Sequence, residues 1–154
     1  MLTNIVLNRA VTAALEEDAP WGDLTSTAFL PAHATATADL VAREQGVFSG
    51  GVVFAAAFRL TDPEVVIDLH FADGDTFEPG DVLASVSGSA RSLLTAERVA
   101  LNFTQRMCGI ATLTAAYVAA VAGTHVRIAD TRKTTPGLRA FERHAVRSLS
   151  LIHI

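Results

Sequence analysis

The spacing of hydrophobic residues over the first half of the chain predicts two helices and two strands. Apolar side chains at helical spacing over residues 4–17 predict an N-terminal helix with Thr3 as its N-cap. Small apolar residues alternate with polar ones over residues 34–42, as in a half-buried strand. A run rich in Ala and Phe over residues 48–60 predicts a short helix, and a second alternation over residues 65–71 predicts another strand.

A turn-rich stretch then precedes a long helical pattern. Residues 73–75 (Asp-Gly-Asp) and 79–81 (Pro-Gly-Asp) favour turns and indicate short strands around them. From Ser92 the apolar residues lie three and four positions apart. This spacing predicts a helix that continues in some form to Gly123, a natural C-cap.

The last part of the chain predicts a strand and a helix. Residues 125–129 predict a short buried strand. Pro136 then opens a helix that continues to about Arg147, because a proline at the first helical turn sacrifices no intrahelical hydrogen bond. The order of elements predicts an α+β region to about residue 110, followed by a helix–strand–helix arrangement of α/β type.

Composition narrows the class of protein. The 154 residues are 50% hydrophobic, which is enough for one globular domain with a core. A net charge of −4 argues against general nucleic-acid binding. The single cysteine, Cys108, excludes an internal disulfide framework and favours a reduced, cytoplasmic compartment. Residues 107–126 lack charged side chains, but their Ala, Gly and Thr content predicts a buried helix and no membrane partner.

Basic residues concentrate near the end of the sequence. Arg139, Arg143 and Arg147 lie four positions apart, so they share one stripe of the last predicted helix, which we interpret as a solvated face. Arg132 and Lys133 differ, because they follow the predicted strand of residues 125–129 and therefore lie where α/β folds bind ligands.

Hydroxyl side chains surround this pair, and the pair includes the single lysine of the chain. Thr131, Thr134 and Thr135 supply hydroxyl donors, and Lys133 is the single lysine of a chain that has eleven arginines. A lone lysine indicates a need for a compact, rotatable ammonium group. Arg98 leaves two interpretations open: an ion pair, for which Glu97 is adjacent, or a cation that projects into an anionic site. The five histidines show no metal-ligand spacing, and no nucleotide-binding loop motif is present.

Three segments resemble a known enzyme family: EEDAPWGDLTS, LLTAERVALNFTQRMCGIATLTAAYVAAVAGT and ADTRKTTPGLRAFERHAVR. In this order and spacing they resemble quinolinate phosphoribosyltransferase, the carboxylating nicotinate-nucleotide diphosphorylase of NAD biosynthesis. The resemblance covers nearly all of residues 13–147. It implies a pentosyltransferase that joins quinolinate to 5-phosphoribosyl 1-diphosphate with Mg²⁺, giving nicotinate mononucleotide, diphosphate and CO₂.

The resemblance also implies a domain organisation. Residues 1–110 would form an N-terminal α/β sandwich domain with a lipoyl-like hairpin region, and the helix of residues 92–110 would lead out of it. Residues 111–148 would begin the α/β barrel with its first strand and helix. A complete barrel takes about 250 residues, so the barrel would be truncated, and the helix of residues 136–147 would lack the strands on which it packs. Poor folding is therefore expected.

Roles for single residues follow from the resemblance alone. In the family's homodimer, Arg132 and Lys133 would bind the carboxylates of quinolinate, and Arg98 would reach the same substrate from the partner subunit. Thr131 and Thr134 would support them. No residue of this chain is assigned as a catalytic group or a metal ligand, and the Mg²⁺ ligands are expected in the part of the family's sequence that would follow.

The final residues, 149–154, do not continue the family's pattern, which has a Gly-rich turn there. Leu-Ser-Leu-Ile-His-Ile is the translation of CTGTCTCTTATACACATC, the end of a transposon adapter used in sequencing libraries. We expect these residues to be adapter-derived, with a natural frameshift as the alternative. The chain would then be an N-terminal fragment that is inactive alone.

The sequence leaves two alternative functions. The phosphoribosyltransferase-like protein associated with molybdate transport shares the core of the third segment, although the arginine after Glu97 favours the quinolinate branch. A non-catalytic lipoyl-like module would need a lysine at a hairpin tip, and Lys133 lies far from the hairpin region.

Overall fold

The computed structural model describes residues 2–150, without the side chain of residue 150. In chain order the elements are α1 (Asn4–Asp18), α2 (Leu24–Phe29), β1 (Thr35–Val41), β2 (Gly46–Val47), α3 (Gly51–Thr61), β3 (Val66–Leu69), β4 (Thr76–Phe77), β5 (Val82–Ser89), α4 (Ala90–Ala120) and α5 (Arg139–Ser150). The α+β class predicted from the sequence is confirmed, and the sheet does not close into a barrel.

The strands form two antiparallel sheets. The larger sheet has the order β1-β5-β3, with β5 in the centre. Its register pairs Thr35 with Ser89 on one side, and Leu69 with Ala84 on the other. The strands β2 and β4 form a separate two-stranded ribbon. In β5 the side chains of Leu83, Ala84 and Val86 are buried, so the central strand supplies much of the sheet's contribution to the core.

The centre of the core lies where α3 packs against α4. In α3 the run of residues 53–58 is buried without a break, as expected for a helix that neighbouring elements cover on all sides. The rings of Phe54 and Phe58 pack in a tilted arrangement with centroids 5.0 Å apart, while Ala96 and Ala100 of α4 are fully buried. Small side chains at these positions allow the two helix backbones to approach closely.

A partly buried carboxylate links the N-terminus of α3 to α5. Asp73 Oδ1 accepts hydrogen bonds from the amides of Gly50 (2.9 Å) and Gly51 (3.1 Å), and its Oδ2 lies 2.5 Å from His144 Nε2. Burial acts to raise the pKa of Asp73, but the hydrogen bonds from His144 and the two amides outweigh it and hold the pKa below 3.8.

The next residue, Gly74, has φ +102°, and a Cβ there would lie 2.6 Å from the carbonyl oxygen of Ser148. Glycine is therefore required at this position by both its backbone conformation and its close approach to α5.

Most predicted elements are confirmed with shifts of a few residues. Thr3 caps α1 by accepting a hydrogen bond from the amide of Val6 (3.4 Å), and the glycines of both turn clusters have positive φ. The predicted helix from Ser92 is the single helix α4, which is 31 residues long and crosses residue 110 unbroken. Within residues 2–150, no helix has the length and hydropathy needed to cross a membrane.

The strand predicted at residues 125–129 is wrong. Residues 126–131 carry no regular secondary structure, and Val126 is 59% exposed. A strand requires a neighbour for its backbone hydrogen bonds, and in the described part of the chain neither sheet includes this segment.

Helix α5 begins at Arg139, because residues 136–138 form a turn. Instead of packing on barrel strands it packs on α4, where Phe141 lies 5.0 Å from Phe103 and Ala145 is fully buried. Helix α5 continues through residues 149 and 150 of the expected adapter-derived tail. Residues 151–154 of that tail lie outside the described residues.

The first prediction concerns Asp73. Replacing it in Asp73→Asn removes the charge that His144 and the two amides stabilise, so the free energy of unfolding should fall by about 2 kcal/mol at pH 7. Because the folded-state pKa is lowered, this contribution exists above pH 3.8 and disappears as the pH falls through the folded-state value. Urea denaturation at pH 7 and pH 3 measures both effects.

The control is Glu64→Gln, which removes an exposed carboxylate near β3. It should leave the free energy of unfolding within about 0.5 kcal/mol of the unsubstituted chain. A difference between Asp73→Asn and the unsubstituted chain that persists undiminished at pH 3 would contradict the assigned role.

Candidate functional site

The segment between α4 and α5 carries the predicted ligand-binding pair. Arg132 and Lys133 are both exposed, and neither takes part in an ion pair with any residue from 2 to 149. The amide of Lys133 donates to Thr131 Oγ1 at 3.1 Å, which forms a local turn. The loop therefore presents two cationic side chains whose charge is not neutralised by a carboxylate of the described chain.

Arg139 fixes the loop from the start of α5. Its Nε donates to Thr134 Oγ1 at 3.1 Å, and its Nη2 donates to the carbonyl oxygen of Arg132 at 3.1 Å. The hydroxyl of Thr134 is therefore occupied by a structural contact, and its supporting role acts through the shape of the loop. Arg132 is held by its backbone, which leaves its guanidinium available.

Arg143 and Arg147 contact Asp130, the residue just before the loop. Arg143 Nε donates to Asp130 Oδ2 at 2.7 Å, and Arg147 Nε lies 3.6 Å from the same oxygen. The arginine stripe of α5 is partly solvated, as interpreted from the sequence, with the side chains of Arg143 and Arg147 each 41% exposed, but all three arginines also contact the segment that precedes the helix. The stripe and its neighbours line a cleft of about 320 Å³, formed by Leu2, Arg139, Ala140, Arg143, His144 and Arg147.

Arg106 of α4 holds the other end of the loop. Its Nη2 lies 2.6 Å from Glu142 Oε1 and also donates to Thr135 Oγ1, while Glu142 Oε2 accepts from the amide of Thr135 at 3.3 Å. Burial acts to raise the pKa of Glu142, but the hydrogen bonds from Arg106 and Thr135 outweigh it and lower the pKa. Sequence reasoning missed this cluster, because 36 positions separate Arg106 from Glu142.

Arg98 lies on α4 eight residues before Arg106, which corresponds to about 12 Å along the helix axis. Its Nε lies 3.1 Å and 3.0 Å from the two carboxylate oxygens of Asp18, and its Nη2 lies 3.0 Å from Asp18 Oδ2. The ion pair is thus tertiary and does not involve Glu97. The hydrogen bonds of Arg98 among the described residues therefore go to Asp18, while the loop before α5 is held by Arg106, two turns farther along α4.

Among the described residues, neither the single thiol nor a cluster of metal ligands offers an alternative site. Burial raises the pKa of the Cys108 thiol to about 11, which disfavours the nucleophilic thiolate at neutral pH. Within residues 2–150, no three side chains among His, Cys, Asp and Glu are grouped to hold a metal ion. The loop of residues 131–135, whose two cations have no carboxylate partner in the described part of the chain, therefore remains the candidate site, and its charge suits an anion.

Two family models match the chain. The model of the quinolinate phosphoribosyl transferase N-terminal domain matches residues 23–108, and the model of the C-terminal domain of the same enzyme matches residues 110–148. The resemblance stated from three segments of the sequence is therefore confirmed over most of the chain.

Curated relatives and solved structures agree with these matches. The chain is 43% identical over 143 residues to nicotinate-nucleotide pyrophosphorylase (carboxylating) of Mycobacterium leprae (strain TN), covering 89% of this chain and 49% of that protein. It is 40% identical over 141 residues to quinolinate phosphoribosyltransferase (decarboxylating) 1 of Nicotiana glauca, covering 91% and 40%. NadC from Streptococcus pyogenes superposes with a TM-score of 0.92 at 45% identity, covering 97% of this chain and 53% of that one. The chain spans about half the length of the curated relatives it matches.

The second prediction concerns the hydrogen bonds by which Arg106 and Glu142 hold Thr135 at the end of the loop. In Glu142→Gln the charge that holds Arg106 and the Thr135 amide is lost, so this amide should exchange with solvent about tenfold faster. Hydrogen exchange followed residue by residue measures the effect. The control Glu16→Gln removes an exposed carboxylate of α1 and should leave the exchange rate of the Thr135 amide unchanged. Equal exchange rates at Thr135 in both variants would refute the role of Glu142.

Proposed function

This chain belongs to the quinolinate phosphoribosyltransferase family, and we propose that it supplies the quinolinate-binding cations of such an enzyme. The observation that carries the proposal is the pair Arg132 and Lys133, held in a fixed loop and free of carboxylate partners among the described residues. The proposed reaction transfers phosphoribosyl from 5-phosphoribosyl 1-diphosphate to quinolinate, with release of diphosphate and CO₂, to give nicotinate mononucleotide.

The charges of the substrate explain why two different cations suit this loop. Quinolinate carries two adjacent carboxylates, and a guanidinium such as that of Arg132 binds one carboxylate through two parallel hydrogen bonds. The ammonium of Lys133 is a compact charge that rotates to follow the second carboxylate. Loss of CO₂ leaves negative charge on the pyridine ring, and fixed cations stabilise that charge as it develops. Thr131 shapes the turn that presents Lys133.

Arg98 completes the proposed site from a second subunit. Within one chain Arg98 pairs with Asp18, and among the described residues it makes no hydrogen bond to the loop of residues 131–135. Its guanidinium is nevertheless half exposed, with 54% of the side chain open to solvent. We place it in the site of the partner subunit of a homodimer, which is the arrangement that the family resemblance implies.

The remaining parts of the proposal concern the whole enzyme. We assign residues 1–110 to the N-terminal domain and residues 111–148 to the start of the barrel, with α4 as the helix that joins them. The single cysteine favours a cytoplasmic location. A lipoyl-like carrier is disfavoured, because Lys133 lies in the loop before α5 and not in a hairpin.

The family implies Mg²⁺ together with the diphosphate substrate. The described residues do not fit a magnesium site by themselves: they contain no suitable group of three ligands, and Asp130 near the loop is already paired with Arg143. No step of the reaction is therefore assigned to a metal bound by this chain. The ligands would come from the substrate phosphates and from the half of the relatives that this chain does not match.

The third prediction is that the 154-residue chain forms no nicotinate mononucleotide from quinolinate and 5-phosphoribosyl 1-diphosphate. An enzyme of the relatives' full length that begins with residues 1–148 should form it in the presence of Mg²⁺. Chromatographic detection of the product measures both. Product from the 154-residue chain would show that the second half is dispensable, and a full-length protein that ignores quinolinate would favour the molybdate-associated relatives.

The fourth prediction separates the two cations of the loop. In the full-length enzyme, Arg132→Ala and Lys133→Ala should each lower kcat/KM for quinolinate by at least about 100-fold, because each leaves a carboxylate unpaired. Lys133→Arg should recover only part of the loss, since a planar fork replaces a rotatable ammonium. The matched control is Arg127→Ala, an exposed arginine of the same segment, which should retain activity. Full activity of Lys133→Ala would refute the assignment.

A further inference from the structure

The end of α1 and the exposed side of α4 meet at one ion pair. Asp18 is the last residue of α1, and Arg98 lies in the third turn of α4. Three short contacts join them: Arg98 Nε to Asp18 Oδ1 (3.1 Å) and Oδ2 (3.0 Å), and Arg98 Nη2 to Asp18 Oδ2 (3.0 Å). The carboxylate therefore binds the side of the guanidinium formed by Nε and Nη2.

This geometry leaves a defined edge of the guanidinium open. A guanidinium has five N–H donors in a planar fork, and Asp18 uses the one on Nε and one of the two on Nη2. One N–H of Nη1 and the second N–H of Nη2 point along the side-chain axis, away from Asp18, while the other N–H of Nη1 lies on the third edge, beside Cδ. The first two donors form the end-on edge, which can bind a further carboxylate through two parallel hydrogen bonds. Asp18 thus fixes the plane of the fork without occupying this edge.

Stability alone does not account for the pair. Arg98 is 54% exposed and Asp18 is 27% exposed, and ion pairs at such positions contribute little to folding because water and salt screen them. The hydrogen bonds and charge of Asp18, with smaller effects from Asp23 and Glu97, raise the pKa of the Arg98 guanidinium. Arginine is charged at neutral pH in any case, so the main consequence of the contact is the orientation of the fork.

We infer that Asp18 is a positioning residue, which aims the end-on edge of the Arg98 guanidinium at a carboxylate of the pyridine dicarboxylate bound in the partner subunit. This inference rests on the proposed function, because it requires Arg98 to reach that substrate. Arginine has many rotamers, and holding it in one removes entropy that would otherwise be lost on binding. The acidic residue at the end of α1 thereby increases the affinity for an anion, although its own charge is repulsive.

The test is a double-mutant cycle in the full-length enzyme. Asp18→Asn should raise KM for quinolinate about tenfold and leave KM for 5-phosphoribosyl 1-diphosphate and the melting temperature unchanged. Arg98→Ala should raise KM for quinolinate further. In the Arg98→Ala background, Asp18→Asn should have no additional effect, because the group that it positions is absent. The matched control is Glu17→Gln, which removes the same charge from the neighbouring exposed position.

A second variant separates charge from geometry. Asp18→Glu keeps the charge but places the carboxylate about one C–C bond farther from the backbone, so it should also raise KM for quinolinate. Normal quinolinate KM in both Asp18 variants, with a defect in Arg98→Ala, would overturn the inference and leave the proposed function intact. Additive effects of Asp18→Asn and Arg98→Ala would overturn it as well. A normal KM in Arg98→Ala would instead refute the placement of Arg98 in the partner's site.

Discussion

The packing of α4 against α3 is the interaction on which the rest of the structure depends. Fully buried alanines of α4 let it approach the buried helix α3 closely, and the sheet strand β5 leads directly into α4. Every side chain proposed to act on the substrate is attached to α4 or follows it. Arg98 lies on α4 itself, and the loop of Arg132 and Lys133 is held by Arg106 of the same helix and by α5, which packs on α4 through Phe141.

Carboxylate partners divide the arginines of the site into two kinds. Three arginines face carboxylates of the same chain: Arg106 faces Glu142 of α5, and Arg143 and Arg147 face Asp130, which precedes the loop. Their charge therefore stabilises the local fold. Arg132 has no such partner among the described residues. Free positive charge in a loop that other cations rigidify suits a dianionic ligand, because the ligand does not have to displace an internal carboxylate.

The parts of the fold that could be predicted from sequence are those set by local physical chemistry. The cap at Thr3 and the turn at residues 73–75 depend mainly on neighbours in sequence, and both were predicted. The strand at residues 125–129 was not formed, because a strand depends on a neighbouring strand that its own sequence does not specify. The ion pair of Arg98 with Asp18 joins residues 80 positions apart, so no local spacing indicates which acid an arginine will meet.

One consequence links the two sites of the proposed homodimer. Arg98 and Arg106 lie eight residues apart on an unbroken helix, so the distance between them is fixed at about 12 Å along its axis. Arg98 is proposed to bind the partner's substrate, while Arg106 holds the loop of its own subunit. A packed helix moves as a unit and does not stretch, so a displacement of α4 at Arg98 would also displace Arg106. In the proposed homodimer, the geometry of one site would therefore be tied to that of the second through α4.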